Sequence, residues 1–260
     1  MIATANAADS SLRRAWSLLD LENLDASAPA FRAATMRVLV MNYALTQTQA
    51  ERFLASYRLA ETGNAAGAVV RPAFDAAGVS RLIDDTVIGG TKYRIARGTV
   101  DEVAFERSRR QMMAEAHRII VSGSRGTIVE SAGADSRVIG WRRVSDGDPC
   151  TFCAMLVSRG PAYIEYGTAL KNSNAPSGWV GKYGNADPYH NHCACTVEPI
   201  YGDWQPTAAE QGYIDSYYEA AETVSAADQP RMASTVLPLM RANGTFKDSP
   251  ARRAVSAATD

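Results

Sequence analysis

One stretch constrains this chain more than any other, and it runs from Cys150 to Cys195. It opens with Cys150-Thr151-Phe152-Cys153 and closes with His190-Asn191-His192-Cys193-Ala194-Cys195. All four cysteines of the protein lie in it, with two of its three histidines. Between the two ends, residues 162–189 are rich in Gly, Asn, Tyr and Pro and read as a long loop with a short hairpin. Such a segment has to be fixed by something other than a hydrophobic core. Zn²⁺ takes four thiolate or imidazole ligands in a tetrahedron. A Cys-x-x-Cys turn brings two sulfurs to one side, and His190 and Cys193 repeat that offset. Cys150, Cys153, His190 and Cys193 are therefore candidate ligands of a structural zinc ion. Cys195 competes with Cys193 for the fourth seat, and His192 with His190, since residues two apart on a strand share a face. The expectation is a metal that staples the two ends of the loop and supplies folding energy to a segment with little core.

Two other chemistries compete for the same residues. One or two disulfides, or reduced thiols with no ligand, would stand in place of the metal, and an extracellular setting would favour the disulfides. A nucleophilic Cys150 or Cys153 with His190 or His192 as base is the third reading, although four clustered cysteines are unusual for a thiol hydrolase. Elsewhere the chain holds no obvious chemistry. Ser124 in Gly123-Ser124-Arg125-Gly126 does not match a serine nucleophile elbow, and no phosphate-cradling Gly-x-x-x-x-Gly-Lys is present. His117 sits inside a helical stretch and reads as a half-buried histidine without chemistry. No catalytic residue is assigned.

Composition narrows the class. The chain has 260 residues, 46% hydrophobic and 21% charged, with a net charge of -1. That balance argues against a strongly basic nucleic-acid binder. No apolar run is long enough to span a membrane, and the first residues lack the basic-then-apolar order of a secretory signal. Synthesis and folding in a cytoplasm are expected.

Along the chain, hydrophobic periodicity predicts a mainly helical N-terminal part. A short helix is expected from Ser10 or Ser11 to Leu19, after a frayed start. A second is expected from Ser27, with Pro29 in its first turn, to about Leu45. A third should start at Thr46 or Thr48 and end at Gly63-Asn64. Short helical pieces follow at 71–75 and 80–85, with Gly89-Gly90 as a break. A long helix then runs to about Val121. The Gly- and Ser-rich stretch from Ser122 to Ala134 suggests a domain boundary. Strands are expected at 137–144 and 193–200, flanking a helical turn at 153–159. From Trp204 an acidic helix returns, followed by a basic, partly mobile tail. The expected fold class is α+β, with a helical domain at 1–125, a small Cys/His domain at 126–202 and a helical segment with tail at 203–260.

The order of features across 136–200 resembles the phage Mu F-like minor head protein domain. The residues that carry this are Arg142-Arg143-Val144, Ser145-Asp146-Gly147, Cys150-x-x-Cys153, and Tyr189-His190-x-x-Cys193-x-Cys195-Thr196-Val197-x-Pro199. Where that family has proline after the first histidine, this chain has Asn191, and it adds His192. The Leu18-Leu19-Asp20 and Leu24-Asp25 segment is similar to the N-terminal helices of such proteins in tailed phages of actinobacteria. The resemblance implies a minor capsid protein of head morphogenesis, bound to the portal and packaged in the virion. Scaffold, major capsid protein and packaged DNA are further implied partners. Proteins of this type are often labelled capsid maturation protease, which is the competing function.

Overall fold

A computed structural model describes residues 2–163, 195–224, 232–250 and 252. The fold is α+β: long helices and one small antiparallel sheet. The chain divides into two compact units, which meet in sequence between Ser131 and Ala132.

The first unit is helical. Helix α1 (Ile2–Trp16) buries Ala5, Ala8, Leu12 and Ala15 at helical spacing. It begins well before the expected Ser10 start, because residues 2–9 are alanine-rich and their buried face has a partner. The Gln49 side-chain amide donates to the Thr4 hydroxyl at 2.9 Å, tying this first turn to α2 (Leu24–Thr62). Helix α2 is one continuous helix of 39 residues rather than the expected two. Thr46 and Thr48 do not start a new helix. The Thr48 hydroxyl donates back to the Ala44 carbonyl at 3.2 Å, and that of Thr46 lies 2.7 Å from the Ile120 carbonyl. Short hydroxyl side chains can sit inside a helix in this way as well as cap one. The end of α2 follows expectation: Gly63 has φ 70° and donates its N–H to the Leu59 carbonyl at 2.9 Å.

Helix α3 (Ala76–Ile83), capped by Asp75 on the Gly78 amide at 2.8 Å, runs into a π-helical turn over Asp84–Gly89 and then α4 (Gly90–Ala96). Gly89-Gly90 is thus a wide turn of a continuing helix and not a break. Helix α5 (Asp101–Gly133) passes straight through the stretch expected to end it near Val121. The small residues there are a packing seam. A Cβ added at Gly123 would lie 2.6 Å from the Tyr43 carbonyl oxygen of α2, and one at Gly126 would lie 2.7 Å from the Pro72 ring. Ser124 and Thr127 return their hydroxyls to the Val121 and Gly123 carbonyls, both at 2.8 Å. The core of this unit joins Phe31, Leu39, Ile83, Val87, Met112 and Ile120 with the buried face of α1.

The second unit holds the sheet. Strands β1 (Gly140–Val144) and β2 (Thr196–Ile200) pair antiparallel, with Arg142 opposite Glu198 and Val144 opposite Thr196. Strand β1 starts later than expected because Asp135 and Arg137 close a turn ahead of it. Between the strands lies α6 (Thr151–Val157), and after them come α7 (Ala208–Glu222) and α8 (Met232–Asn243). Met155 and Leu156 of α6 meet Ala220, Val236, Met240 and Phe246 in one core. The basic tail is therefore packed as far as it is described. Phe246 is buried, Arg241 reaches Asp248 at 2.8 Å, and Arg252 pairs with Asp148. The loop and hairpin expected at 162–189 fall outside the described residues from Ile164 onward.

Candidate functional site

The β1–β2 ladder organises the cysteine end of the second unit. The chain leaves β1 at Val144, makes the turn that Gly147 closes with φ 95°, and enters α6 at Cys150. Cys150 is the N-cap of α6 and Cys153 lies one turn further on. An offset of three on a helix puts both side chains on one face. Cys195 stands immediately before β2, whose first residue pairs with Val144. Cys150 and Cys195 thus enter from the same end of the ladder. Cys153 and Cys195 are buried and Cys150 is half-buried. His190, His192 and Cys193 lie outside the described residues. Among the described residues, no three His, Cys, Asp or Glu side chains converge as a metal-ion group. The three described thiols suit zinc in chemistry, as soft donors carried on short elements of a small unit.

The start of α6 is held from the far end of the chain. One Asp248 carboxylate oxygen accepts from the Thr151 amide and hydroxyl, both at 2.7 Å, and the other accepts from Arg241 at 2.8 Å. Burial alone would raise the Asp248 carboxyl. The two Thr151 hydrogen bonds and the Arg241 charge outweigh burial and hold it below its ordinary value.

Across the ladder, Arg142 bridges two carboxylates. Its guanidinium lies 2.6 Å from Glu198 on β2 and 2.5 Å from Glu210 at the start of α7. All three side chains are at most 14% exposed. Glu210 also closes a capping box with Thr207, and the Arg142 guanidinium sits 5.8 Å from the Trp204 ring centre. Close by, Arg137 donates to Asp135 at 2.8 Å and the Tyr201 hydroxyl donates to the same carboxylate at 3.2 Å. The Arg137 hydrogen bond is the largest of the effects that hold Asp135 far below the usual carboxylate range. Sequence reasoning singled out Arg142 but not its partners. Thr207-x-x-Glu210 was a legible capping signal, whereas Glu198 carried no signal beyond its place in a strand.

Comparison with known proteins gives three findings. The family described as VG15 protein matches residues 1–223. The chain is similar to the Gene 15 protein of Mycobacterium phage D29, 28% identical over 132 residues, which is 44% of this chain and 48% of the relative. The match therefore spans about half the length of that curated relative. No solved structure matches. Because the family match takes in most of both compact units, the chain belongs to the VG15 protein family and is a phage gene-15-like protein.

Proposed function

We propose that this chain is a minor capsid protein of the Mu F-like kind, acting in head morphogenesis at the portal and carried in the virion. The observation that supports this most is the family match over residues 1–223, joined to the similarity with a phage gene 15 product. The two-part cysteine motif adds to it. In this reading one zinc ion joins Cys150 and Cys153 to a histidine from His190 or His192 and a thiolate from Cys193 or Cys195. Zinc there supplies binding energy to the fold and no reaction step. What supports this reading is that Cys150 caps α6, Cys153 lies within it, and Cys195 stands immediately before β2.

The test is to tag the chain in a phage that encodes it, purify mature particles and quantify it beside the portal. Copies in the particle, and failed heads when the gene is lost, are the expected result. Absence from particles with normal heads would overturn the assignment. Cleavage of head proteins by the purified chain, abolished by one cysteine change that leaves the fold intact, would favour the capsid maturation protease reading instead.

A further inference from the structure

The outward face of α2 differs from an ordinary solvent face. Arg37, Met41, Leu45, Arg52 and Leu59 follow helical spacing along it, with no carboxylate in the stripe. Met41 is 71% exposed, Leu45 48% and Leu59 54%. Solvent-facing stripes normally carry polar and charged residues, and a contiguous apolar run rimmed by charge marks an interaction surface. Neighbouring charges on α2 are paired: Arg32 with Asp84, and Glu51 with Arg71. Arg37 and Arg52 have no ion-pair partner among the described residues.

Helix α7 presents the complement. Asp215, Tyr218, Glu219 and Glu222 recur at i, i+3, i+4 and i+7, and residues 203–224 hold no Lys or Arg. Tyr218 is 59% exposed at the centre of this stripe. Glu219 and Glu222 have no ion-pair partner among the described residues. Four residues separate Tyr218 from Glu222, and four separate Met41 from Arg37, about 6 Å along each helix axis. An aromatic ring seated on Met41 therefore puts a carboxylate level with a guanidinium.

We propose that the α2 stripe of one copy docks on the α7 stripe of a second copy, with Tyr218 against Met41 and Leu45 and Glu222 paired with Arg37. The occupant is a second copy because the same chain carries both the cationic apolar stripe and its acidic, aromatic counterpart. Different patches meet in this contact, so the assembly grows by a heterologous rule rather than by a self-matching face.

Sedimentation of the full chain from micromolar to millimolar concentration tests this. The expected result is a mass that rises above the monomer. Arg37→Glu should weaken association about tenfold or more, and Glu222→Arg should do the same. Combining the two in one chain should restore it, because the charges are exchanged rather than lost. Both sites are on the surface, so helical content by circular dichroism should stay unchanged in every variant. A monomer at all concentrations would overturn the proposal. So would association that ignores the single reversals, or a double variant no better than the singles.

Discussion

Arg142 carries two carboxylates at once, and Glu198 and Glu210 come from separate elements. Removing the guanidinium leaves two acidic side chains facing each other with little water between them. Arg142→Met is therefore expected to cost about 3 kcal/mol of stability in urea unfolding, the usual scale for a broken buried ion pair. Arg142→Lys should cost less, about 1–2 kcal/mol, since the charge stays while the planar two-pronged geometry is lost. Equal losses for the two variants would show that the fork, not charge alone, holds β1 to α7. Asp248 gives a pH prediction. Its carboxyl is held below the ordinary value of 3.8, so the ionised form is preferred in the folded chain. A depressed folded value means this stabilisation is whole above the unfolded value. It is lost as pH falls through 3.8 toward the lower folded value. Asp248→Asn should lower stability at neutral pH and flatten the acid limb of a stability–pH curve below pH 4. An acid limb identical to that of the unaltered chain would remove Asp248 from the account.

At the scale of elements, the seam between α2 and α5 decides how the first unit packs. A methyl group at Gly123 meets backbone of α2, which cannot swing aside as a side chain would. Gly123→Ala is expected to destabilise by about 2 kcal/mol through overpacking. Gly133→Ala, in the same helix with nothing within 4 Å of the added carbon, should be neutral or stabilise by about 0.5 kcal/mol. Thermal melting of the pair separates packing from helix propensity, because both changes add the same methyl group to one helix. The same seam explains which elements were legible in the sequence. Apolar spacing revealed the helices around Leu12, Phe31 and Met112, since one-sided burial writes a period into the sequence. Gly63 marked the end of α2 because its left-handed φ suits glycine. Gly123, Ser124 and Gly126 misled, since small residues serve loops and close helix contacts equally well. Thr46 misled for a related reason. Its hydroxyl suits a cap, but here it faces the Ile120 carbonyl of another helix, and sequence spacing holds no record of that neighbour. The buried face within 232–250 was not legible because Val236, Met240 and Phe246 are too sparse to announce one among polar residues.

For the whole molecule, the two units stand on unequal cores. Among the described residues, the first joins long helices through one large apolar cluster, and the second has a smaller cluster around α6 beside a two-stranded sheet. A two-stranded ribbon is marginal in water without further support. Ion pairs at Arg142, Arg137 and Asp248 supply part of that support, and the zinc we propose would supply more. The cysteine pattern carries that proposal because metal chemistry tolerates few residue types. Spacing alone does not choose between His190 and His192 or between Cys193 and Cys195, because each pair is two residues apart. If zinc clasps the second unit, a strong chelator should act on that unit alone. Hydrogen exchange read by mass spectrometry should show faster exchange across β1, α6 and β2, while α2 and the first turns of α5 keep their protection. Cys153→Ser should reproduce the pattern without chelator, and the transition belonging to the second unit should fall by about 10 °C or more. Metal analysis of the untreated chain should find one zinc per copy. A chain that carries no zinc and exchanges identically with and without chelator would remove the clasp, and the support for the sheet would then rest on the ion pairs and the α6–α8 core alone.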